Sequence, residues 1–178
     1  MKYRTAALAL AALALGGCAS YRWTPGVPAE MRTVSVPVFR NESGVTGLGA
    51  RVSAQVLREF QREGTFEVRD AGDSAIEVQG VVKSDDAGVV GYERRTGQRN
   101  IERRLRVTAL VSVIDKRAGR VLVNDRKYVA KTTFASAGDQ LTAERDASGR
   151  IAEEFAREIV DDLLDMDFGG ADNTGGAR

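Results

Sequence analysis

The chain has 178 residues, with 26 Lys+Arg against 25 Asp+Glu, no histidine and one cysteine. The near balance argues against general nucleic-acid binding, which draws on a clear basic excess. The lack of histidine removes the commonest general base and zinc ligand, and with them Ser-His-Asp and Cys-His catalysis.

Lys2 and Arg4, the apolar run from Ala6 to Leu15 and then Gly16-Gly17 before Cys18 have the layout of a secretory signal peptide over residues 1–17. The run is about 10 residues, short of the ~20 that span a bilayer as a helix. Without residues 1–17, which hold two basic and no acidic side chains, 161 residues remain with 24 basic against 25 acidic. That length suits one domain with a real core. Cys18 has no partner for a disulfide, so stability must come from packing. Leu15-Gly16-Gly17-Cys18 also resembles the bacterial lipobox, whose cysteine is lipidated and becomes the first mature residue.

Residues 18–31 contain Pro25, Gly26 and Pro28 without periodicity and read as a lipidated N-terminus and tether. Tyr21 and Trp23 fit either a membrane or partner interface or the domain edge. From Arg32 to Phe39 the apolar residues Val34, Val36 and Val38 alternate, predicting a first strand with Pro37 at an edge. A polar connection, Asn41–Gly47, leads to a helix over Leu48–Glu63, where Leu48, Val52, Val56 and Phe60 recur every four residues. Gly64 ends it and Phe66-Glu67-Val68 makes a short strand, completing a βαβ-like opening.

The middle is strand-rich. Ile76, Val78, Gly80 and Val82 share one face and Glu77, Gln79 and Lys83 the other, with a bulge or bend at Asp85, Asp86 and Gly88. Thr96-Gly97-Gln98 is a tight turn into a run with Ile101, Leu105, Val107, Ala109, Val111 and Val113 on its apolar face. A turn through Ala118-Gly119 leads into the strand Val121–Phe134. After Gly138 the period becomes helical, with a stripe of Ile151, Phe155, Ile159, Leu163 and Met166, an earlier anchor at Leu141 and Gly149 as a point of breakage or kinking. Residues 169–178 are small and polar and read as a disordered tail. The expected fold is α+β: a two-layer sandwich, two helices on one face of a mainly antiparallel sheet of long strands, over residues 32–168. The opposite sheet face is expected to be polar and arginine-rich.

Arg94, Arg95, Arg99, Arg103, Arg104 and Arg106 straddle the Thr96–Gln98 turn. Guanidinium groups bind phosphate or carboxylate in a fork, so the hairpin is a site for an anionic lipid or, equally, a solvated, edge-protecting face. Gly44, Gly47 and Gly49 match neither a phosphate-binding loop nor a dinucleotide fingerprint and read as loop geometry. Asp85-Asp86 and the group Asp161, Asp162, Asp165 and Asp167 lack calcium-loop spacing and read as a strand bend and a solvated helix end. No metal site, cofactor or catalytic constellation is expected, and the chain does not read as an enzyme.

The order of parts carries a resemblance. Cys18-Ala-Ser-Tyr21 is followed by Arg32-Thr-Val-Ser-Val-Pro-Val-Phe39-Arg-Asn41, the helix from Gly47 to Phe60, and Phe66-Glu67-Val68. The hairpin from Gly91-Tyr92-Glu93 to Leu105-Arg106-Val107-Thr108, the turn Asp115–Leu122 and Ile159-Val160-Asp161-Asp162-Leu163-Leu164 complete the set. It resembles the lipopolysaccharide-assembly lipoprotein LptE family over nearly the whole chain after Cys18, with Val123 where relatives often have tryptophan. The resemblance implies an outer-membrane lipoprotein carrying palmitate-type acyl chains on Cys18, facing the periplasm, with no nucleic-acid partner. It also implies a partner, the β-barrel LptD, which the domain plugs while lipopolysaccharide is delivered to the outer leaflet, and as the target of the arginine hairpin either lipopolysaccharide or an acidic barrel wall. The Phe39-Arg-Asn-Glu-Ser-Gly44 opening also occurs in lipoproteins resembling curli-secretion and penicillin-binding-protein-activator groups, assembly or regulatory modules without that ligand.

Overall fold

Three strands of 20, 18 and 16 residues dominate the molecule: β4 (Ile76–Arg95), β5 (Gln98–Asp115) and β6 (Arg120–Ala135). The computed structural model describes residues 27–95, 98–135 and 140–168, and for residues 84–95, 98–102 and 135 the backbone alone. The segments expected as signal peptide, lipidated Cys18 and most of the tether, with Tyr21 and Trp23, lie outside the described residues, as do Thr96-Gly97 and the expected tail over 169–178.

The three long strands run antiparallel, and three short ones, β1 (Thr33–Ser35), β2 (Arg40–Asn41) and β3 (Glu67–Val68), add parallel pairings on the other side of β4. The order is β3-β1-β4-β5-β6, with β2 also on β4 beyond β1. The run expected as one strand, Arg32–Phe39, is therefore interrupted: β1 stops at Ser35 and pairing with β4 resumes only at Arg40. Pro37 lacks a donor and restricts its predecessor, so the ladder breaks around it. The bend expected at Asp85–Gly88 is a pair of register shifts in β4, between Ser84 and Asp86 and between Val89 and Gly91.

Helix α1 (Leu48–Glu63) begins after Gly47 at φ 73° and ends at Gly64 at φ 85°, whose N–H reaches the Phe60 carbonyl at 3.1 Å. Both are left-handed positions that glycine takes without strain. Its expected stripe, Leu48, Val52, Val56 and Phe60, is wholly buried. Helix α2 (Gln140–Leu164) packs along α1 and over β6, burying Ile151, Phe155, Ile159 and Leu163. It runs unbroken through Gly149, because the flanking Ala147, Ser148, Ile151 and Ala152 are held in the core and packing outweighs propensity. Leu141 is not an anchor: it is 63% exposed. Ten residues at 100° each put it about 80° off the stripe of Ile151, a place the periodicity gives to Ala147 and Ser148 instead.

The far end of the helix layer is closed by Phe66, edge-on to Phe60 at 5.5 Å and to Phe168 at 6.2 Å. Val27 and Met31, assigned by sequence to the tether, are 4% and 7% exposed and belong to the core. Asp162 is more than a solvated helix end. Its carboxylate accepts from the Tyr128 hydroxyl at 2.6 Å and from Arg126 Nε at 3.0 Å, fastening α2 to β6. Burial, then the hydrogen bond to Asp162, push Tyr128 well above the usual phenol range, so it stays a donor.

Candidate functional site on the uncovered sheet face

Both helices cover the same side of the sheet, the side of Val78, Val82, Leu105, Val107, Val111 and Phe134. Residues directly opposed across antiparallel strands share a face, and neighbours along a strand alternate. The other side can therefore be read as rows across β4, β5 and β6. From the hairpin end these are Gly88–Arg104–Thr133, Asp86–Arg106–Lys131, Lys83–Thr108–Val129 and Val81–Leu110–Lys127, followed by Gln79–Ser112 and Glu77–Ile114–Val121.

Arg104, Arg106, Lys127 and Lys131 are exposed on this face, and among the described side chains no carboxylate lies within ion-pair distance of them. Lys83 has a partner, Glu42 at 3.4 Å, which also takes Arg40 at 2.9 Å. Arg106 stands opposite Lys131, a like-charge pairing that costs stability in a sheet unless something anionic offsets it. On its other side Arg106 has Asp86 in the ladder. The face is thus a set of cationic rows, in line with the polar, arginine-rich surface expected, that merges into a partly aliphatic region at Val81, Leu110 and Val129.

The six candidate arginines do not form one surface. Arg94 is opposite Arg99 in the ladder, and Arg95 opposite Gln98. Arg103 is opposite Phe134, which is 7% exposed, and so belongs to the helix-covered side. Its Nε is buried without a hydrogen-bond partner among the described residues. Adjacent residues of a strand point to opposite faces, so Arg104 and Arg106 are on the open side while Arg103 is not. Lys127 and Lys131 were missed. The signal for them was the alternation of β6, with Lys127, Val129, Lys131 and Thr133 between the inward Tyr128, Ala130 and Phe134.

Among the described residues no helix is long and apolar enough to cross a membrane. Similar solved structures include a putative lipoprotein from Caulobacter crescentus (18% identity, 71% of this chain and 88% of that one, TM-score 0.48). A minor lipoprotein from Acinetobacter baumannii matches at 12% identity over 75% of this chain and 93% of that one, with a TM-score of 0.43. A putative neuraminyllactose-binding hemagglutinin homolog from Helicobacter pylori matches at 10% over 78% and 86%, with a TM-score of 0.48. No curated protein matches the chain. The family model described as LptE, lipopolysaccharide-assembly, matches residues 31–163, from just before the first strand to the last turn of the last helix, and the chain belongs to that family.

Proposed function

We propose that this LptE-family chain is a non-enzymatic outer-membrane lipoprotein that plugs an LptD-type β-barrel and assists delivery of lipopolysaccharide to the outer leaflet. In this reading residues 1–17 are removed, acyl chains on Cys18 hold the protein at the periplasmic face, and residues 32–168 do the recognition. Membership of the family supports the assignment. The observation that carries the site is the open sheet face, where Arg104, Arg106, Lys127 and Lys131 stand in neighbouring rows without described carboxylate partners. Such a face suits phosphate groups, since charge-assisted bonds from arginine are among the strongest a protein makes in water. A polar, cationic outer surface also suits a barrel lumen, which is itself polar.

Pull-down from detergent-solubilised membranes tests the partner. An LptD-type barrel is expected in the eluate; recovery of cell-wall synthases alone would overturn the assignment. Growth with a labelled fatty acid is expected to mark the wild-type protein and not Cys18→Ala, with thermal unfolding of the folded domain the same in both. A wild-type protein that takes up no label would remove the anchor from the reading.

A further inference from the structure

Beside the cationic rows the open face holds a trough of about 350 Å³. Val81 and Leu110 form its floor, and Pro37-Val38 its wall. Arg40 and Gln79 line it as well, and Ser112 and Asp125 line it further down the sheet. The wall exists because Pro37 interrupts the ladder between β1 and β2. Phe39 turns inward to 2% exposure, and its neighbour Val38 is left 73% exposed, the largest exposure of any bulky aliphatic among the described residues. Leu110 sits in the ladder between Val81 and Lys127, so aliphatic floor and cation share one row.

We propose that this trough seats an acyl chain of the same lipid whose phosphate groups the cationic rows bind, an inference that rests on the lipopolysaccharide reading above. Two kinds of surface on one face, separated by the single row Lys83–Thr108–Val129, call for a ligand with two kinds of group, an anion joined to a hydrocarbon. The Arg106 row and the Leu110 row are four residues apart on β5, about 14 Å along the strand. That distance is within the extended length of a long acyl chain. The orientation is set by charge as well. Asp125, held by Ser112 through its own N–H at 3.0 Å, puts a carboxylate at the far end of the trough, where a phosphate would be repelled. Arg40 also lines the trough, but Glu42 pairs with it at 2.9 Å and offsets its charge. The head therefore lies toward Arg104, Arg106 and Lys131, and the chain runs toward Val38.

Binding of purified protein to lipid A, and to the same phosphorylated headgroup with its acyl chains removed, separates the two parts. Val38→Ser and Leu110→Ser are each expected to weaken lipid A binding about threefold or more, by loss of apolar contact, and to leave the deacylated headgroup unchanged. Arg104→Gln with Arg106→Gln should weaken both ligands. Val38 is so exposed that its variant folds regardless, which keeps the test usable if Leu110→Ser unfolds. If Val38→Ser changes neither ligand, or both equally, while the arginine variant weakens both, the acyl seat is wrong and the phosphate face stands. If the arginine variant affects neither, the reading beneath the proposal fails and takes the acyl seat with it. A photo-crosslinking residue at position 38 should capture lipid in intact cells; capture of protein alone would make the trough a protein interface and overturn the proposal.

Discussion

Gly80 lies under the ring of Phe39, so close that a Cβ on Gly80 would meet Cδ2 and Cε2 of that ring at 2.3 Å. Phe39 is only 2% exposed and has nowhere to swing. Gly80→Ala should therefore cost about 1–3 kcal/mol through overpacking. A fall in the urea midpoint with an unchanged slope would report it. An unchanged midpoint would mean the ring shifts freely, and that Val38 is less firmly placed than its neighbour implies.

The same residue is gripped from the helix side. The Phe39 N–H donates to Ser53 Oγ at 2.7 Å, and that hydroxyl donates to the Gly49 carbonyl at 3.0 Å. Ser53 is 3% exposed, so Ser53→Ala strands a buried N–H and should cost about 1–3 kcal/mol. Gly49→Ala should cost more, because its Cβ would sit 2.3 Å from the Phe39 backbone oxygen, and backbone yields less readily than a ring. Faster hydrogen exchange at the Phe39 amide in Ser53→Ala is the direct check.

Periodicity made both helices and the long strands legible, since Leu48, Val52, Val56 and Phe60, or Leu105, Val107, Ala109 and Val111, carry the burial pattern in their spacing. What escaped was set by tertiary geometry. Leu141 is apolar and near the helix start, but its angle around the axis takes it off the buried stripe. The arginine cluster was legible as composition, but its division between the two sheet faces was not. Strand alternation divides Arg103 from Arg104, and pairing with β6 brings in Lys127 and Lys131 from a segment some 25 residues away. Which faces the helices cover decides which of those side chains meet solvent, and that is not written locally.

Asp115 gives the fold a pH dependence of known sign. It is 3% exposed and closes the turn before β6, accepting from the N–H groups of Ala118 at 3.0 Å and Arg117 at 3.1 Å, and from Arg120 Nε at 3.1 Å. The Ala118 N–H above all, with Arg120, holds its carboxyl below the usual range despite the opposing effect of burial. The unfolded chain therefore takes up this proton first. The stabilisation is full above the unfolded carboxylate value of about 3.9 and is lost as pH falls through the lower folded value. Asp115→Asn should thus unfold at a lower temperature than wild type at pH 7, with the gap narrowing in acid. A gap that stayed constant down to pH 2 would show that the turn depends on shape and not on the charge.

Arg103, Arg104 and Arg106 lie within four residues and should respond differently to substitution, which separates a binding face from a fold defect. Arg103 carries a buried Nε with no described partner, so Arg103→Met removes a desolvated donor and keeps the packing. It should leave stability unchanged or raised and lipopolysaccharide affinity intact. Arg104→Glu with Arg106→Glu should lower that affinity about tenfold or more, as charge-assisted contacts are lost. The same double variant should stay within about 1 kcal/mol of wild-type stability, because a carboxylate at position 106 gains Lys131 on one side of the ladder and meets Asp86 on the other. Weaker binding by a protein that folds equally well cannot come from a damaged fold. If binding is instead unaltered, the open face is a solvated surface, and its cations serve only to keep long strands from pairing with neighbours.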